Sequence, residues 1–98
     1  MPSYVILCQY TDEGARTIKQ APERRRANIE RAQAAGIKIV ASYTTLGEYD
    51  QVIIAEAPSE EVAVTGILGL AQQGILRTKT LRAFSNEEID QLISRLPG

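Results

Sequence analysis

The chain contains no histidine and no tryptophan, and it has a single cysteine, Cys8. Without histidine, Ser-His-Asp and Cys-His triads, imidazole bases, proximal-histidine haem ligation and histidine-built metal sites are excluded. One cysteine excludes an intramolecular disulfide and a cysteine-built zinc site, and a lone thiol suits a reducing compartment. An excess of charge is also lacking: 11 Lys and Arg stand against 12 Asp and Glu, a net charge of −1. A nucleic-acid binder should carry a clear basic surplus, so no nucleic-acid partner is expected. Long apolar runs are missing too. No stretch approaches the roughly 20 apolar residues of a membrane helix, and the opening Met1-Pro2-Ser3-Tyr4 lacks the positive region of a signal peptide. A cytoplasmic location without a membrane partner is the expectation.

What is present is ordinary globular material, 44% apolar and 23% charged over 98 residues. Half of such a chain is too short to fold without staples, so residues 1–98 are expected to form one domain. A chain of this size buries only roughly 60–65% of its unfolded surface, and self-association would help it.

The run Tyr4-Val5-Ile6-Leu7-Cys8-Gln9-Tyr10 is rich in β-branched and aromatic residues and apolar on both faces, which predicts a central strand. Thr11 can cap the turn after it, with Asp12 and Glu13 in the first turn. Residues 15–35 are helical in composition but interrupted by Pro22. This predicts a short first segment, then a main helix with Pro22 near its first turn and Gly36 as its stop. Over residues 15–35, Ala15, Ile18, Ile29, Ala32 and Ala35 mark a buried stripe, and Arg24, Arg25, Arg26 and Arg31 are expected largely outside.

Ile37 to Leu46 and Tyr49 to Ala57 read as two further strands joined by Gly47-Glu48 in a two-residue type II′ hairpin. That register pairs Leu46 with Tyr49, Thr45 with Asp50 and Tyr43 with Val52. One face then carries Ile39, Ala41, Tyr43, Val52 and Ile54, expected under the helices. The other carries Ser42, Thr44, Gln51 and Ile53, a mixed face toward a partner or a cleft. A slip of one residue would exchange the two. Ser59 caps a second helix, in which Gly66 and Gly69 suggest close packing. Leu76 to Phe84 is a fourth strand. Ser85-Asn86-Glu87-Glu88 is a capping box that opens a last helix with Ile89, Leu92, Ile93 and Leu96 expected inward.

The order β-α-β-β-α-β-α is that of an α+β, ferredoxin-like βαββαβ sandwich with an extra C-terminal helix and a four-stranded antiparallel sheet. Helices cover one sheet face in that fold. Val5, Leu7, Val40 and Ile53 would fall on the bare face, making it half apolar and an interaction surface. Two sheets packed face to face across a two-fold axis is the simplest solution, a homodimer or higher oligomer.

Chemistry is carried by few residues. The segment 15–38 is basic, with Arg16, Lys19 and the run Arg24 to Arg26, whereas Ile39 to Leu76 holds no Lys or Arg. It reads either as an anion site or as a solvated helix face. Gly47-Glu48-Tyr49-Asp50 reads either as turn chemistry, with Asp50 bonding loop amides, or as a hydroxyl donor beside a base. Thr78, Thr80 and Arg82 form a polar strand stripe on which the arginine could hold a carboxylate or enolate oxygen. Alternatively, the stripe is an edge-strand face or Arg82 pairs with an acid such as Asp50. Cys8 sits mid-strand, where thiols are usually inert. No phosphate loop is present: Gly66-Ile67-Leu68-Gly69 lies within a helix and lacks the lysine.

Three motifs in this order carry a family resemblance: Tyr4-Val5-Ile6-Leu7 running into Tyr10-Thr11-Asp12 and Gly14, the Gly47-Glu48-Tyr49-Asp50 hairpin, and Thr80-Leu81-Arg82-Ala83-Phe84. Together they resemble the GYD-domain family, from Tyr4 to about Ile89, with the eponymous residues on Gly47, Tyr49 and Asp50. The resemblance implies a dimeric α/β-barrel, a group that includes cofactor-free monooxygenases, isomerases, haem enzymes and plain ligand binders. It supplies no assigned reaction, and fold kinship alone cannot supply one.

Two readings follow. In the first, an oligomer binds a small organic, anionic molecule between sheet and helices, without a cofactor or metal, and either only binds it or acts on it. Asp50 and Tyr49 are then the catalytic candidates, and Tyr10, Arg16, Thr44, Gln51, Thr80 and Arg82 the substrate-binding candidates. In the second, the chain is a non-catalytic binding, scaffold or regulatory module whose motif residues shape the hairpin and the interface.

Overall fold

The computed structural model describes all residues from Met1 to Gly98. In chain order the elements are β1 (Ser3–Tyr10), α1 (Asp12–Arg16), a 3-10 turn (Ile18–Gln20), α2 (Ala21–Ala34), β2 (Lys38–Thr44), β3 (Gln51–Glu56), α3 (Glu60–Gln72), β4 (Leu76–Ala83) and α4 (Asn86–Ile93). The four strands form one antiparallel sheet in the order β2-β3-β1-β4. This is the α+β, ferredoxin-like arrangement that the order of elements predicts.

Local signals place the helix ends where side chains can satisfy free amides. The Thr11 hydroxyl accepts from the Gly14 amide, Ser59 from Val62, and Ser85 from Glu88. Glu88 returns the bond to the Ser85 amide, closing the expected capping box. Pro22 lies in the first turn of α2, where its missing N–H costs nothing. Gly14 is required by proximity: a Cβ there would sit 2.3 Å from the Ile75 carbonyl oxygen. The Thr11 amide donates to that same oxygen at 3.0 Å, so the exit of β1 is docked onto the α3–β4 turn. Gly66 also meets a neighbour, the Ile37 side chain, whereas Gly69 has open space before it, so close packing holds for the first glycine only.

The faces of the hairpin differ from the expectation. Tyr43 pairs with Val52 as expected, but the ladder shifts register between Ile39 and Ala41, leaving Val40 as a bulge. Side-chain alternation therefore resets. Ser42, Gln51 and Ile53 lie on the helix side, together with Ile39 and Ala55. Ala41, Tyr43, Val52 and Ile54 lie on the uncovered face with Val5 and Leu7. A bulge exchanges faces without a break in composition, which is why simple alternation misplaced them.

The hairpin loop is also wider than two residues. Thr45 and Asp50 remain joined, amide to carbonyl at 2.9 Å, but Leu46 and Tyr49 do not pair and Leu46 is fully exposed. Asp50 is drawn instead toward β1, its amide donating to the Cys8 carbonyl at 2.8 Å. The Thr45 hydroxyl donates to the Tyr49 carbonyl at 2.6 Å.

The core is thin. Only 7 of 98 residues are buried: Gly14 and a cluster of Tyr4, Ile6, Cys8, Ile37, Ala55 and Ala57. It lies where β1 and β3 meet the helices. The helix α4 stands away from it, and Leu92, Ile93 and Leu96 are exposed rather than inward. The capping box forms α4 locally, and of its apolar stripe only Ile89 is half-buried. No helix is long and apolar enough to cross a membrane.

Candidate functional site

Between the sheet and the pair α2 and α3 lies a cleft of about 600 Å³. Its floor is the helix side of the sheet: Tyr4, Ile6 and Tyr10 from β1, Gln51, Ile53 and Ala55 from β3, Ile39 and Ser42 from β2, and Thr80 from β4. The walls are Ala21, Arg24, Asn28 and Ala32 of α2, and Val62, Gly66 and Leu70 of α3 with Gln73 at its end. Gln73 donates to the Asn28 side-chain oxygen at 3.0 Å and ties the two helices at one end of the opening. Most of this lining is apolar, and a volume of this size is that of a small-molecule site.

The eight residues expected at the site do not converge. Tyr10, Gln51 and Thr80 line the cleft. Gln51 donates to the Ser42 hydroxyl at 3.2 Å, so the two form a polar pair on the floor. Thr44 pairs with Gln51 across the ladder but is exposed at the end of β2. Asp50 is half-buried, and its carboxylate accepts from the Tyr10 amide at 2.8 Å. This bond splices the hairpin onto β1 rather than closing the loop on itself. Tyr49 lies below Lys79, whose ammonium is 5.9 Å from the ring centre. Lys79 belongs to the uncovered sheet face, opposite Leu7, so Tyr49 is turned away from the cleft.

Arg82 and Arg16 stand elsewhere. Arg82 is opposite Tyr4, whereas Asp50 lies beside the other end of β1, so the suggested Arg82–Asp50 pair does not form. The Arg82 guanidinium donates to the Ser3 and Ala83 carbonyls and stacks 4.3 Å from the Phe84 ring centre. It is not part of the cleft lining. Arg16 is exposed and ion-paired with Glu13. Cys8 is wholly buried, and burial pushes its thiol up to about 11. The group is a neutral, enclosed thiol at ordinary pH, not a nucleophile.

Arg24 is among the cleft residues outside the expected set. Arg24 is half-buried rather than outside: one guanidinium nitrogen, Nη2, donates to the Thr17 carbonyl and hydroxyl and to Gln20. The other, Nη1, is buried without a partner. The signal for it is present in the sequence. Ala21, Arg24, Asn28, Ala32 and Ala35 recur at helical spacing, so Arg24 belongs to the inner stripe.

The fold and cleft define a small α+β, ferredoxin-like domain, open on one sheet face. The GYD domain model matches residues 4–93, and the chain belongs to that family. A relative from Thermus thermophilus, named glutamine synthetase and cystathionine beta-lyase binding protein, is 37% identical over 97 residues. The match spans 98% of this chain and 99% of the relative. Among solved structures, that of FFRP-DM1 superposes with a TM-score of 0.63 at 16% identity, over 86% of this chain and 100% of its own, a likeness of fold alone. TTHA0845, also from Thermus thermophilus, gives a TM-score of 0.50 at 25% identity, over 87% of this chain and 95% of its own.

Proposed function

We propose that this chain is a non-catalytic, oligomeric binding protein that docks on metabolic enzymes. The observation that carries the reading is the uncovered sheet face. Val5, Leu7, Val52, Ile54 and Leu81 are contiguous across three strands there, with Ala41 and Tyr43 on the fourth. A contiguous apolar face on a small domain marks an interface. Pairing of two such sheets across a two-fold axis gives the dimeric α/β-barrel, with the single domain 1–98 as its subunit. The relative's name supports the choice of partner: enzymes of the glutamine synthetase and cystathionine beta-lyase kind. The test is light scattering on a sizing column, with the chain alone and mixed with each of those two enzymes from the same source. A dimer or larger assembly that co-elutes with either enzyme is the expected result. A monomer that shifts neither enzyme overturns the reading.

A second reading is favoured by the cleft: a small organic molecule occupies it, bound by Tyr10, Gln51 and Thr80, and modulates docking. In this reading Asp50 positions Tyr10 through the strand rather than taking a proton from a substrate. If the module were instead a cofactor-free enzyme, Asp50 would be its base and Tyr49 its hydroxyl donor. Both side chains would then have to turn toward the cleft.

A further inference from the structure

We infer that the cleft is a site for an elongated organic acid, its carboxylate at Arg24 and an uncharged oxygen function at Tyr4. The inference rests on the reading of the cleft as a small-molecule site and names the ligand's chemistry. Two polar groups of the cleft wall are buried without hydrogen-bond partners: the Tyr4 hydroxyl and Arg24 Nη1. Tyr4 is only 8% exposed. An unpaired buried donor is costly, and such groups are rare unless an ion or ligand completes them. Both residues border the cleft, so a ligand held there can complete either atom once its side chain turns toward it.

Their placement sets the ligand's shape. Tyr4 and Tyr10 lie at opposite ends of β1. Arg24 is tied through Thr17 to the turn that follows β1, on the Tyr10 side. The floor between the two ends is apolar, with Ile6, Ile53 and Ala55 along it. The sign of the charge follows from the lining. Arg24, Arg25 and Arg31 all border the cleft, and Glu61 is the one acid there. Arginine holds a carboxylate through charge-assisted bonds, and Nη1 of Arg24 is left unpaired for one.

The test is calorimetric titration of the full chain with three probes: 10-hydroxydecanoate, decanoate and decan-1-ol. The expected order is 10-hydroxydecanoate tightest, decanoate several-fold weaker, and decan-1-ol at least about tenfold weaker than decanoate. Arg24→Gln removes the advantage of decanoate over decan-1-ol. Tyr4→Phe removes the advantage of 10-hydroxydecanoate over decanoate and leaves the first advantage in place. Leu70→Trp, which adds bulk to the cleft and leaves both polar residues in the sequence, abolishes binding of all three, and circular dichroism confirms that each variant folds. Decan-1-ol binding as tightly as decanoate, or Arg24→Gln leaving their ratio unchanged, overturns the carboxylate assignment while the cleft reading stands. No binding of any probe, or binding that survives Leu70→Trp, overturns both.

Discussion

Asp50 does the most at the scale of single residues. Its carboxylate accepts from the Tyr10 amide while its own amide and carbonyl serve Cys8 and Thr45, so one residue joins β1, β2 and β3. Truncation leaves a half-buried amide unpaired, which costs about 1–3 kcal/mol. Asp50→Ala is therefore expected to lower the urea midpoint, and Asp50→Asn, which keeps an acceptor oxygen, to lower it less. Equal midpoints for Asp50→Ala and the parent chain would show that this bond contributes nothing. Cys8 makes a second prediction. Its folded thiol titrates near 11 against 9.0 for a free thiol, so the unfolded chain ionises first. Stability is therefore unaffected by this group below pH 9.0 and declines as pH rises toward 11. Equilibrium unfolding from about pH 8 to 11 is expected to show that decline, and Cys8→Ala to flatten it.

At the scale of elements, the helices differ in what holds them. The first turn of α1 and the exit of β1 are docked on the α3–β4 turn through Thr11 and Gly14. The helix α4 has its capping box and little else. Hydrogen bonds from Ser85 hold the Glu88 carboxyl below its ordinary value. A depressed carboxyl stabilises above its unfolded pKa, and the contribution is lost as pH falls through the folded value. Amide exchange in α4, corrected for the intrinsic pH dependence of exchange, should therefore lose protection at acid pH ahead of the sheet. Ser85→Ala should accelerate it roughly fivefold at neutral pH, the usual effect of a lost cap. A helix α4 as protected as β1 in both conditions would mean that its apolar stripe, Ile89, Leu92 and Ile93, is covered in solution.

At the scale of the whole molecule, the radius of gyration of 15.2 Å exceeds the value of about 12.6 Å for a compact chain of this length. The long axis of 55 Å and the thin core describe a chain that leaves many large apolar side chains exposed. Under the proposed function the uncovered face packs on a second sheet, and under the second reading the cleft takes a ligand. Leu81, 52% exposed on the uncovered face, is the place to test the first. Leu81→Glu should dissociate the proposed assembly with the fold of each chain intact, which sedimentation velocity would show as a loss of the larger species. An unchanged sedimentation coefficient would show that the uncovered face makes no self-contact.

The order of elements, the caps at Thr11, Ser59 and Ser85, the place of Pro22 and the GYD membership were all legible in the sequence. Each depends on neighbours a few residues apart, or on motifs read along the chain. The faces of the hairpin were not, because one bulged residue at Val40 inverts them without altering composition. The site was legible only in pieces. Tyr10, Gln51 and Thr80 share the cleft, but Arg82 lies at the far end of β1 from Asp50, a separation set by strand register. Arg24 was readable from helical spacing, yet charge argued for the outside, and only the packing of α2 over the sheet made it an inner residue. Short-range chemistry determined which elements form. Which side chains share a cavity depended on pairing between strands distant in sequence, and that is a property of the tertiary structure.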